Sequence, residues 1–264
     1  MSLGESGLRC SRRHSFDLAR QGYVSLQSGA VARSGDDAAM AQARERFLDG
    51  GRYRRLRDGI NEAVTSSITG EGRMSHHDPA VLDAGCGTGY YLAGLLDAVP
   101  GARGLGIDTS VRSLRIAARA HERAAAASWD VFRPFPLADR SVDVVLDVFS
   151  PRNPAEFARV LREDGVLVIA RPAPDHLAEL REQVTGMVAI HPEKEERLAE
   201  AVEPCFSAVR TMHVRYAMED LAAGEVADLV GMTPSARHLG DGGTVVGAPR
   251  SVTVSVLVSS YRPR

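Results

Sequence analysis

The stretch "VLDAGCGTGYYLAGLL", residues 81–96, constrains this chain more than any other. An aliphatic run reaches Asp83, glycines follow at alternate positions (Gly85, Gly87 and Gly89), and an apolar helical pattern starts at Tyr90. Glycines so spaced permit a sharp strand-to-helix turn and let a ligand approach the backbone without a Cβ in the way. Short β-branched runs alternate with helical stretches on either side. Strands are expected at "AVLDAG", "ARGLGID", "AASWDV", "SVDVVLDVF" and "GVLVIA", with helices starting near Tyr90, Val111, Pro154 and Pro174. That alternation predicts an α/β fold: a mostly parallel sheet with helices on both faces. "AVRTMHVRY" and "SVTVSVLVSSY" are expected as an antiparallel pair at its edge, with a helix in "MEDLAAGEVADLVGM" between them.

The residues around the turn narrow the ligand. A dinucleotide fingerprint needs a third small residue where Tyr90 stands, and the carboxylate of Asp83 would be unwelcome beside a pyrophosphate. An acid there suits a ligand with a positive amino group. Asp108, closing "GLGID", is placed to accept hydrogens from both hydroxyls of a ribose. "SWDVFRPFPL" offers Asp130 near an adenine edge, with Trp129 or Phe132 as a flank. Cys86 reads as a small side chain in a crowded turn rather than a nucleophile, since no base signal lies near it. Together these residues resemble the class I, S-adenosylmethionine-dependent methyltransferases, whose Rossmann-like fold is a seven-stranded, mostly parallel sheet. The resemblance implies S-adenosylmethionine as cofactor, held by Asp83, Gly85, Gly87, Thr88, Asp108 and Asp130.

Charge is unevenly spread along the chain. Residues 1–57 carry eleven arginines against six acids, a net of +5, while the whole chain stands at −2, which leaves −7 on the rest. A basic arm on an acidic body is a footprint of nucleic-acid binding, and a solvated arginine-rich helix face is the simpler alternative. Lys194 is the only lysine, so base composition accounts for part of the arginine content. No apolar run approaches the roughly 20 residues needed to span a bilayer, and the first residues lack a signal-peptide core, so a cytoplasmic protein is expected. Three scattered cysteines make no disulfide framework.

The opening segment points further. "CSRRHSFDLARQGYVSL", "GDDAAMAQARERFLDGGRYRRL", "DVFSPRNPAEFARVLREDGVLVIARPAPDHLAELR" and "GMTPS" are similar to the 23S rRNA (guanine-N1)-methyltransferases, and "DVFSPRNP" to their macrolide (tylosin) resistance branch. The resemblance covers nearly the whole chain and implies a 23S rRNA hairpin as substrate and a homodimer. Carried over by position, it adds Tyr53, from the G-x-Y-x-x-L element, and His176, from D-H-L, to the cofactor contacts. Read without it, Tyr53 serves a helix–helix contact and His176 begins a helix.

Methyl transfer to guanine N1 needs alignment and an acceptor for the N1 proton. Asp147 is expected in that role, accepting from N1 and N2 together, with Phe149 stacking on the base and Pro151 shaping the turn. The alternative for Asp147 is a strand-end residue capping the helix that starts at Asn153.

Two departures stand out. Arg237 occupies a position where the family has tryptophan, and "GDGGTVVGAP" replaces a helix. Cys10 and His14 have the spacing of the second half of a zinc site, but no cysteine precedes Cys10, so no metal is expected. "MSL" has the look of a vector leader. The expected organisation is a basic arm with a degenerate zinc finger over 1–35, a helical segment and linker over 36–78, and the cofactor-binding domain over 79–264. A small-molecule methyltransferase, or a protein that binds RNA and cofactor with little turnover, remain open alternatives.

Overall fold

The computed structural model describes residues 2–4, 7–10, 14–27, 36–69, 78–184, 187, 200–236 and 249–264. The linker at 70–77, Lys194, Arg237 and the glycine-rich stretch at 240–248 lie outside them. Three short strands, β1 (Ser2–Gly4), β2 (Gly7–Arg9) and β3 (Ser15–Asp17), form an antiparallel sheet near the N-terminus. The main sheet follows: β4 (Val24–Ser25), β5 (Ala80–Ala84), β6 (Arg103–Asp108), β7 (Ala124–Ser128), β8 (Val142–Val148), β9 (Leu161–Pro172), β10 (Phe206–Glu219) and β11 (Ser251–Pro263). Its order is β10-β11-β9-β8-β5-β6-β7-β4, parallel from β9 to β4, with the β10–β11 pair added antiparallel as expected.

The sheet has eight strands rather than the expected seven. Val24 and Ser25 extend it beyond β7, where Leu26 N–H donates to Ser128 Oγ at 3.2 Å and Tyr23 packs with Leu114, Ala117 and Ala126. β7 also ends earlier than "AASWDV" suggests. Asp130 Oδ1 accepts from Phe132 N–H at 2.9 Å, an aspartate turn that bends the chain out of the ladder.

Helices α1 (Ala38–Asp49), α2 (Arg54–Ile68), α3 (Tyr90–Ala98), α4 (Val111–Ala117), α5 (Pro154–Val160), α6 (Ala178–Gln183) and α7 (Ala223–Gly231) cover the sheet. Every residue of β8 is buried, so its alternation supplies both faces. Val144, Leu146 and Val148 join an apolar cluster with α2, α3, α6 and α7, while Val145 joins Leu82, Ile107, Leu167 and Phe157 on the other side.

The expected boundary at 78/79 does not separate two cores. α2 places Leu56, Ile60, Ala63 and Val64 at helical spacing in the same cluster as β8, β9 and β11. Residues 36–69 are therefore built into the domain.

Candidate active site

In doubly wound sheets ligands bind beyond the carboxyl ends of the strands, where the strand order reverses. Here the reversal falls between β5 and β8, because the chain runs β5, β6, β7 to one side and β8, β9 to the other. The glycine turn leaves β5 at that point. Gly85, Gly87 and Gly89 have φ of +82°, +53° and +80°, the left-handed region that a side chain strains. A Cβ on Gly85 would sit 2.5 Å from Ser150 Cβ, so the turn after β8 packs directly on the turn after β5.

Asp108 ties the turn to the end of β6. Its Oδ2 accepts from Gly87 N–H at 2.9 Å and its Oδ1 from Ser110 N–H at 2.7 Å. An ionised carboxylate has about four acceptor positions, so it retains capacity for ribose hydroxyls while fixing the loop. Asp83 is 1% exposed and its Oδ2 has no hydrogen-bond partner. Burial, with Asp108 nearby, pushes its carboxyl up to about 7. A buried acid with an unmet oxygen under a glycine turn fits a cofactor that brings positive charge. Thr88 is buried in the turn, whereas Asp130 is half-buried and uses Oδ1 on its own backbone turn. Of its two expected flanks, Trp129 packs on the apolar cluster of the sheet and Phe132 stands out at 68% exposure.

Tyr53, His176 and Phe149 come together from three elements. Tyr53, at the start of α2, meets Phe47 of α1 edge-on at 5.3 Å and lies 6.5 Å from the His176 ring. Burial pushes the Tyr53 phenol up, so it stays protonated. His176 stacks on Phe149 at 5.8 Å, and its Nδ1 accepts from Ser255 N–H at 3.1 Å. That contact fixes the tautomer with hydrogen on Nε2. Burial, with Arg181 nearby, lowers the His176 imidazole to about 4, so it is neutral near pH 7. The run continues from Phe149 to Tyr91 at 6.5 Å and from Tyr91 to Tyr90 at 5.2 Å.

Asp147 requires a correction. Strand alternation places it opposite Ile169 on the α5 face, away from Leu146 and Val148. It is wholly buried, and burial pushes its carboxyl up despite Arg152, whose Nε lies 3.6 Å from Oδ1. Fully covered, it presents no open carboxylate to a base. It does not cap α5 either, because Asn153 Oδ1 accepts from Glu156 N–H at 3.4 Å. Phe149, by contrast, is 41% exposed with φ of +55°. The left-handed backbone breaks the alternation and brings its ring to His176.

One residue in this region gave no signal in the sequence. Arg44 of α1 pairs with Asp36 at 2.6 Å, donates to Met232 O at 2.8 Å, and lies 3.1 Å from where a Gly87 Cβ would stand. It brings α1 over the glycine turn.

At the N-terminus, Cys10 Sγ is 3.5 Å from His14 Nδ1, and Cys10 N–H donates to His14 O at 3.1 Å. The two are brought together as their spacing suggests. Among the described residues no group of three or more His, Cys, Asp or Glu side chains could hold a metal ion. No helix among them is long and apolar enough to cross a membrane.

A cofactor with positive charge and no phosphate is what this turn accommodates, and the fold that carries such a turn is that of the class I, S-adenosylmethionine-dependent methyltransferases. Residues 81–165 match the family described as a methyltransferase domain. An S-adenosylmethionine-dependent methyltransferase from Aquifex aeolicus shares the fold at a TM-score of 0.51 and 16% identity, over 84% of this chain and 97% of that one. Full-length similarity is more specific. A Streptomyces fradiae protein, 23S rRNA (guanine(748)-N(1))-methyltransferase, is 39% identical over 234 residues, 88% of this chain and 80% of its own. A Micromonospora griseorubida protein that carries the 23S rRNA (guanine-N(1)-)-methyltransferase name is 41% identical over 268 residues, 97% of this chain and 90% of its own. The chain belongs to the 23S rRNA (guanine-N1)-methyltransferase family.

Proposed function

We propose that this enzyme methylates N1 of a guanine in a 23S rRNA hairpin loop. The observation that supports it is Phe149, an exposed ring held on a strained backbone at the reversal point of the sheet, next to the cofactor turn and stacked on a neutral histidine. An aromatic in that position suits a splayed-out RNA base.

When bound, S-adenosylmethionine supplies a methyl carbon made electrophilic by its sulfonium. Gly85, Gly87 and Thr88 let it approach the backbone, Asp108 takes the ribose hydroxyls, Asp130 the adenine edge, and the Asp83 carboxylate faces its positive charge. Tyr53 and His176 close over its methionine end. Phe149 would stack on the guanine and orient its N1 edge toward the cofactor turn. Methyl transfer to N1 would release the N1 proton, and the exposed side of Phe149 would leave that proton a route to solvent. Asp147 acts by position: buried at the end of β8 with Arg152 Nε 3.6 Å from Oδ1, it supports the turn that carries Phe149 and Pro151.

Oriented placement of this kind contributes roughly 7–11 kcal/mol of barrier reduction. Labelled methyl transfer to a transcript of the 23S hairpin, with primer extension to map the base, tests the proposal. A stop at one guanine is expected, and label appearing only on small molecules would contradict it. The same reading makes the methylated ribosome less sensitive to macrolides. Expression in a susceptible host should therefore raise the inhibitory concentration of tylosin, and an unchanged concentration despite methylated rRNA would remove the resistance role.

A further inference from the structure

The arginines of α1, α2 and the turn between them are not all used alike, and Arg55 lies over the Tyr216 ring at 4.7 Å. Arg44, Arg46 and Arg52 are neutralised within the fold by Asp36, Asp228 and Glu225, at 2.6, 2.5 and 2.6 Å. Arg54 and Arg57 are not. With Arg115 of α4 and Arg119 of the turn that follows it, they line a cleft of about 470 Å³ bounded by α1, α2, α3 and α4, with Thr88 of the cofactor turn and Tyr90 of α3 in its wall.

Among the described residues these four guanidinium groups have no hydrogen-bonded carboxylate. The nearest contact is Arg57 Nε to its chain neighbour Asp58 at 3.8 Å. Arg57 Nε and Arg115 Nε are buried donors without an acceptor, a costly state for a charged group unless a ligand completes it. The fold makes room for the arrangement. A Cβ at Gly94 of α3 would run into the Arg57 side chain, so the glycine lets Arg57 lie across α3, with its guanidinium 5.1 Å above the Tyr90 ring.

The opposing charges in the cleft are Glu45 and Asp49 on the α1 wall and Asp97 at the end of α3, the last paired with His121 at 3.5 Å. The basic wall is therefore formed by α2, α4 and the turn after α4. Planar guanidinium forks suit phosphate oxygens. From Tyr90 the aromatic run passes through Tyr91 to Phe149, so a strand lying along the arginines leads toward the base site.

We propose that this cleft is a phosphate-binding track for the RNA strand flanking the target guanine, with Arg54, Arg57, Arg115 and Arg119 as its contacts. It rests on the RNA reading above, and goes beyond it in placing the strand outside the base site.

The test is the affinity of the full chain for the 23S hairpin transcript, measured by fluorescence anisotropy over a salt series. Each lost phosphate contact should reduce the slope of log K against log salt by about 0.7 for a single strand. R115A/R119A should weaken binding about tenfold at physiological salt and flatten the slope, with cofactor affinity unchanged. R112A, on α4 but outside the cleft, should leave the slope as it is. Glu45→Gln with Asp49→Asn should strengthen RNA binding, a change of sign that damaged folding would not produce. If wild type binds and methylates the hairpin while R115A/R119A keeps the wild-type slope, the cleft is not the track. If wild type neither binds nor methylates it, the RNA reading itself fails.

Discussion

His176 and Asp83 titrate in overlapping ranges with opposite consequences for stability. Burial lowers the folded-state His176 to about 4, so its contribution is present above its ordinary value of 6.5 and is lost as pH falls through about 4. At 1.36 kcal/mol per pKa unit that amounts to roughly 3 kcal/mol. Burial raises Asp83 from 3.8 to about 7, so its contribution is present below 3.8 and is lost as pH rises through about 7. In the cofactor-free protein the His176 slope opposes those of Asp83 and of Asp147, which burial also raises. Relative to wild type, the slope of the urea midpoint between pH 4 and 7 should become more positive in Asp83→Asn and more negative in His176→Gln; changes of the same sign in the two variants would refute the assignment. Phe149→Ala should lower kcat/KM for RNA by up to about 100-fold, the worth of roughly 1–3 kcal/mol of base stacking, with cofactor affinity within twofold. Equal losses in both would make the ring structural.

At the scale of elements, the turns after β5 and β8 act as one unit. Gly85→Ala places a Cβ against Ser150 in a left-handed conformation, so a loss of about 2–4 kcal/mol from strain and overpacking is expected, together with loss of cofactor binding. Gly224 of α7 has nothing within 4 Å of its added Cβ, and Gly224→Ala should stabilise by up to about 1 kcal/mol. Thermal melts of the two variants compare these directly, and a shift of the same sign in both would contradict the packing described. The turn was legible in the sequence because glycine spacing and the flanking acids report local chemistry. β4 was not, because two residues at the edge of a sheet carry no periodicity. Nor was the place of Asp147. Its identity marks the end of a strand, but whether that end faces α5 or the base depends on the register of β8 with β9 and on the positive φ of Phe149. Arg44 was hidden in a run of similar arginines, and only the fold distinguishes the one that reaches Asp36, Met232 and the glycine turn.

For the whole molecule, the sequence placed a basic segment before an acidic body, and among the described residues Arg44, Arg46 and Arg52 of that segment enter internal ion pairs while Arg54 and Arg57 line a cleft beside the cofactor turn. In the proposed arrangement substrate strand, target base and cofactor meet at the reversal point of a single sheet. The most direct measurement is mass spectrometry of nucleosides digested from the 23S hairpin transcript after incubation with enzyme and S-adenosylmethionine. The account predicts 1-methylguanosine at one residue per hairpin, abolished in Gly85→Ala. Unmodified RNA, or methylation at another atom such as N2 or N7, would contradict it.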